Sequence, residues 1–163
     1  MSLTEFPLLV CEAAQQCQFE AEEAGITLFT PIPEPYPAID GESSLLTRLL
    51  AHAIRFGIVV CMVRGRDQIN LLIEQLPDAV QATIELPDVT LAVHEQALID
   101  ALFSNNDPQA FRQLEYGTNL TIVKGLTDLH NGQIEFEQDE ATCRLMLRFP
   151  IINSSSLDDP TTS

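Results

Sequence analysis

Tyr116-Gly117-Thr118-Asn119-Leu120-Thr121-Ile122-Val123-Lys124-Gly125-Leu126-Thr127-Asp128-Leu129-His130-Asn131-Gly132-Gln133-Ile134 is the stretch around which the chain is organised. Leu120, Val123, Leu126 and Leu129 recur at helical spacing and are placed to pack. That phase puts Thr121, Thr127 and Asp128 toward the wetter side. Asn131-Gly132 supplies a turn, and the chain runs from it directly into a strand. The stretch is thus a glycine-led helix, an Asn-Gly stop and a strand.

Downstream, residues 133–149 predict a hairpin. Ile134 and Phe136 face the core on its first strand, and Cys143, Leu145, Leu147 and Phe149 on its second. Glu135, Glu137, Arg144 and Arg148 fall on the outer face, where charges can pair across strands. The segment 151–163 is rich in Ser, Asp, Thr and Pro and reads as a disordered tail or linker.

Upstream, Ser104 to Pro108 is a loop and residues 95–103 a helix with Leu98, Ile99 and Leu102 inward. Two alternating strands precede it, carrying Ile69, Leu71 and Ile73, then Val80, Ala82, Ile84 and Leu86, joined at Leu76-Pro77-Asp78. A further helix is capped from Asp40 to Ser44 and buries Leu45, Leu46, Leu49, Leu50, Ala53 and Ile54. Beyond Phe56, residues 57–63 fit either a longer helix or a strand. Pro31, Pro33, Pro35 and Pro37 enforce an extended connector. The chain begins with a helix over 6–24, a capping Gly25 and a short strand over 26–30.

Composition bounds the function. A chain of 163 residues with 45% hydrophobic residues suits one globular domain. The net charge of −16 repels phosphate backbones and anionic membranes, so neither nucleic-acid binding nor membrane insertion is expected. Cys11, Cys17, Cys61 and Cys143 have no metal-ligand spacing and read as reduced, mostly buried thiols of a cytoplasmic protein. The most apolar window, 45–63, is interrupted by Arg48, His52 and Arg55 and reads as a core helix.

Three stretches resemble the ATPase domain of sensor histidine kinases. Glu20 to Leu28 resembles its "LAEEKGITL" segment, Leu45 to Phe56 its "LLNLLDNAIKF" helix, and Gly117 to Ile134 its last glycine box with the following strand. The resemblance spans about residues 5–150, with 57–115 matching in pattern only. It implies an α+β two-layer sandwich, with a mixed sheet of about five strands and three helices on one face. It implies a domain over 1–150, with a helical dimerisation and phosphoacceptor domain or a response regulator receiver as partner.

The residues that carry the family's chemistry are altered. Arg48 and His52 stand on the two asparagine positions of the metal-binding motif, and Ala51 on its acidic one. Mg²⁺ prefers oxygen ligands in octahedral geometry, which arginine cannot supply and imidazole supplies poorly. No glycine occurs between 66 and 116, so the first glycine box is absent, with Asp88 (or Glu85) left to stand for its aspartate. In the last box Gly117 survives and Asn119 replaces the second glycine. The lid over 104–115 carries one base, Arg112.

The degenerate pocket is therefore Arg48, His52, Asp88, Gly117 and Asn119, with no catalytic residue, metal ligand or cofactor expected. Arg48 and His52, four residues apart on one helix face, read as solvated charge capping a lost site, with a new anion or partner site in the old pocket as the alternative. His94-Glu95 faintly echoes a phosphoacceptor motif but reads as a surface histidine, and His130 reads as structural. The expectation is a pseudo-ATPase domain of a two-component signalling protein, acting through protein–protein contacts. The alternative is a divergent but active catalytic domain that uses ATP and Mg²⁺.

Overall fold

The computed structural model describes residues 2–30, 38–105 and 114–151. The Pro31–Pro37 connector, Arg112 and the tail after residue 151 lie outside the described residues. In chain order the elements are β1 (Ser2–Thr4), α1 (Phe6–Glu23), β2 (Thr27–Phe29), β3 (Ile39–Gly41), α2 (Ser43–Arg64), β4 (Gln68–Gln75), β5 (Ala79–Pro87), α3 (Val93–Asn105), α4 (Gly117–Leu129), β6 (Gln133–Gln138) and β7 (Thr142–Pro150).

Five strands form one sheet in the order β2-β4-β5-β7-β6. β2 runs parallel to β4 and every other neighbour is antiparallel, so the sheet is mixed as expected. Central β5 is buried on both faces. Val80, Ala82, Ile84 and Leu86 face the helices, while neighbouring strands cover Gln81 and Thr83 on the outer face.

The outer face holds the predicted charge pairs. Arg144 bonds Glu85, Glu137 and Asp139, and Arg148 bonds Glu135 and Gln81. Opposite charges set across the strands each contribute a few tenths of a kcal/mol, up to about 1.

Helix α2 is the spine of the other layer, packed between α1 and α4 and lying on β4 and β5. It runs unbroken through the ambiguous 57–63 stretch to a left-handed cap at Gly65 (φ 68°). Its N-cap is Glu42, whose carboxylate accepts from the Leu45 N–H. Length and composition alone would let α2 cross a membrane, but 67% of its apolar window is buried inside the domain.

Gly57 explains how α2 comes so close to the sheet. A Cβ there would stand 3.1 Å from Leu86, 3.2 Å from Ile69 and 3.3 Å from Ile84. The glycine costs helix stability of about 1 kcal/mol, and close packing offsets it. Helix α1 adds Phe6, Val10, Ala13, Cys17 and Ala21 to the core, and the Phe6 ring packs tilted against Phe149 with centroids 5.4 Å apart.

The helix layer holds four described helices, not three, since α3 joins the same core through Ile99 and Leu102. The two-stranded sheet of β1 and β3 is also additional, pairing Ser2 with Gly41 and Thr4 with Ile39. The phase of α4 differs from expectation as well. Thr127 is 0% exposed and Leu129 is 53% exposed. At 100° per residue Thr127 returns to the face of Leu120, whereas Leu129 points opposite to it.

Candidate functional site

The site residues sit on two facing helices and at one strand end. His52 is carried by the middle of α2 and Asn119 by the first turn of α4. Their side chains meet, with His52 Nδ1 at 2.9 Å from Asn119 Oδ1. An amide oxygen can only accept, so with this amide orientation Nδ1 carries the hydrogen. Two positions 67 residues apart, each altered from the motif it occupies, thus bond to each other across the helix pair.

Gly117 begins α4 and is buried. Its N–H donates to Leu114 O at 3.0 Å, and its carbonyl accepts from the Thr121 hydroxyl at 2.9 Å. A helix N-terminus binds anions through free N–H groups; here the first of them is already taken.

Arg48 does not join His52. It is exposed and lines a cleft between α1 and α2 with Glu12, Gln16 and Arg55. Four residues apart, the two share one face of α2, with Arg48 at its α1 edge and His52 at its α4 edge.

Asp88 follows β5 in a left-handed conformation, φ 58°. Aspartate tolerates this region better than most residues, and Asp88 does here what a glycine would do at lower cost. Its N–H donates to Ala141 O at 2.7 Å, which holds the turn against the β6–β7 hairpin. Glu85, the other candidate for the family's aspartate, lies on the outer face of the sheet. It accepts there from Asn70 and Arg144 and faces away from the helices.

Several residues that hold the surroundings of the site together were not singled out from sequence. Tyr116, one residue before Gly117, is 4% exposed and packs edge-on against Phe56, with centroids 5.1 Å apart. Its hydroxyl donates to Glu95 at 2.5 Å, and Glu95 also pairs with Arg64. Burial, and then the Glu95 hydrogen bond, pushes the phenol well above its ordinary pKa. This chain of contacts ties the end of α2 to the starts of α3 and α4.

Gln138 is a second omission. Its amide nitrogen donates to Val89 O at 3.0 Å, and its oxygen accepts from Leu91 N–H at 3.0 Å. Val89 and Leu91 are buried, so the stretch after Asp88 forms part of the core. No sequence signal marks a glutamine at a hairpin turn as a clamp for a segment 49 residues away.

His94 is exposed, as expected. His130 is buried and structural: it accepts from the Glu42 N–H at 3.3 Å through Nε2, while Nδ1 lies 2.9 Å from Leu126 O. Among the described residues no group of three or more His, Cys, Asp or Glu side chains could hold a metal ion.

Comparison with solved structures supplies the architecture's relatives. The chain aligns with the nucleotide-free catalytic domain of the histidine kinase ThkA over 93% of its own length and 97% of that domain, at TM-score 0.71 and 15% identity. The fold is that of a histidine kinase catalytic domain. The Acinetobacter baumannii histidine kinase AdeS matches at TM-score 0.66 and 13% identity, with 93% of this chain and 68% of that one covered. Full-length ShkA, solved with AMPPNP, matches at TM-score 0.70 and 15% identity over 94% of this chain and 32% of its own. No protein-family model and no curated protein matches the sequence. At these identities the likeness is one of architecture. In the histidine kinase fold adopted here, α2 carries Arg48 and His52, and α4 carries Gly117 and Asn119.

Proposed function

We propose that this chain is the ATPase-type domain of a two-component signalling protein, and that it binds little or no ATP and acts through protein–protein contacts. The observation that carries the proposal is the His52–Asn119 hydrogen bond. The two side chains that replace a metal-holding asparagine and a glycine satisfy each other, so a nucleotide would have to separate them.

The donor set does not fit Mg²⁺-ATP. Mg²⁺ dehydrates reluctantly and demands oxygen ligands near 2.0–2.1 Å, and the two positions offer a guanidinium and an imidazole. Phosphoryl transfer is almost wholly positioning and charge neutralisation by metal and basic groups. A net charge of −16 opposes a polyphosphate further. The partners proposed are a helical dimerisation and phosphoacceptor domain or a response regulator receiver. The setting proposed is the cytoplasm.

Calorimetric titration with ATP, with and without Mg²⁺, tests the reading. The expected result is no binding tighter than about 100 μM, near −5.5 kcal/mol. Tighter binding overturns it.

A further inference from the structure

Two large apolar side chains stand in solvent on the helix layer. Phe19 of α1 is 69% exposed and Met62 of α2 is 60% exposed. Phe19 lies opposite the stripe of Val10, Ala13, Cys17 and Ala21 that α1 buries, so it points away from the core. The Cys17 thiol donates to Ala51 O at 3.5 Å and Arg55 donates to Glu20 at 3.0 Å, so α1 and α2 advance side by side in the same direction. Phe19 then stands near the level of Ile54, and Met62 about 12 Å further along the pair. Val59, only partly buried, comes at a level between them.

The charge beside Phe19 is unbalanced. Three of the four glutamates of α1, Glu20, Glu22 and Glu23, fall in its last turn, and the helix has no basic residue. A helix C-terminus carries partial negative charge and favours cations. Because α1 and α2 are parallel, their negative ends point the same way. Arg55 answers Glu20, the Gln18 amide donates to Glu22, and Glu23 has no partner among the described residues. The end of α1 is thus short of a cation, next to an uncovered aromatic ring.

We propose that this α1–α2 ridge docks a basic amphipathic helix of a partner protein. Phe19 and Met62 take its apolar side chains, and its lysines or arginines reach Glu22 and Glu23. Seven to eight residues of helix rise about 10.5–12 Å, which matches the separation of the two apolar side chains. Phenylalanine and methionine are enriched in protein interfaces, and methionine adapts to varied apolar shapes. Charge decides against the other occupants. A net charge of −16 repels anionic lipid and nucleic acid, and it sets two copies of this chain against each other. The ridge does not include His52 or Asn119, so the outcome does not turn on whether ATP binds.

The test is an amide chemical-shift titration of the full chain at physiological ionic strength, where loose surface attraction is screened. The probe is a synthetic peptide of about four helical turns, with leucine along one face and lysine along the other. The controls are the same peptide in scrambled order, vesicles of phosphatidylcholine and phosphatidylglycerol, and sedimentation of the protein alone. The amphipathic peptide is expected to bind with a Kd below about 50 μM, to gain helical circular dichroism and to shift residues 15–24 and 55–63. Phe19→Ser and Met62→Ser each weaken it at least fivefold, and Glu22→Gln with Glu23→Gln at least threefold. Glu74→Gln with Asp100→Asn removes equal charge from exposed acids elsewhere and changes it less than twofold. All these side chains are exposed, so the variants keep the wild-type amide spectrum away from the substitution. Equal binding of the scrambled peptide, shifts spread over the whole surface, binding to the vesicles, self-association lost in Phe19→Ser, or equal effects of the two charge pairs overturns the proposal.

Discussion

His52 and Asn119 are predicted to be energetically coupled, and a double-mutant cycle with His52→Ala and Asn119→Ala measures the coupling. The hydrogen bond is 2.9 Å long and partly buried. A bond of this kind contributes a net of about 0.5–1.5 kcal/mol. Each alanine also regains helix propensity of roughly 0.6 kcal/mol over asparagine or histidine, so each single variant falls near zero net change.

The cycle removes that ambiguity, because propensity gains at separate positions add and cancel in the coupling energy. Removing either side chain breaks the same bond, so the second substitution costs nothing further through it. The double variant should therefore be about 1 kcal/mol more stable than the sum of the singles predicts. In urea, with m about 2 kcal/mol/M, this is a midpoint difference of about 0.5 M. A coupling energy within about 0.3 kcal/mol of zero would refute the idea that the two replacements form one unit.

Other predictions rest on single observations. Thr127 is fully buried and its hydroxyl has no hydrogen-bond partner among the described residues. Thr127→Val removes that unmet group at nearly constant shape and should stabilise by about 1 kcal/mol, raising Tm by about 2–4 °C in a thermal melt. Gln138→Ala should release the segment from 88 to 91. Hydrogen exchange at Leu91 then accelerates while that of β5 stays unchanged. Burial pushes the thiols of Cys17 and Cys61 up to about 11 and that of Cys143 up to about 12. In native protein near pH 8, only half-buried Cys11 should react with a thiol reagent, against all four cysteines in denaturant. Above pH about 9 the unfolded thiols ionise while the native ones keep their protons, so stability falls as pH rises.

Much of the architecture was legible because long elements repeat their signal. Helix α1, the capped start of α2, and strands β4, β5, β6 and β7 each carry enough periodic positions to fix type and face. The phase of α4 was not, since Leu129 and Thr127 were assigned by hydrophobicity, whereas the geometry that brings Leu120 and Val123 into the core takes Thr127 with them. The β1–β3 pair escaped notice because three residues cannot display a period.

The candidate site was legible as a set of altered motif positions but not as an arrangement. That His52 and Asn119 bond, that Arg48 turns toward α1 and that Glu85 belongs to the outer charge ladder all depend on side-chain direction. Tyr116, Glu95 and Arg64 form one chain of contacts from three elements, and no local pattern joins them.

The decisive measurement is calorimetric titration of the protein with ATP in the presence and absence of Mg²⁺. The self-satisfied His52–Asn119 pair predicts no Mg²⁺-dependent heat and no binding tighter than about 100 μM. A dissociation constant below that value would contradict it and would make this chain a nucleotide-binding domain with an unusual set of ligands.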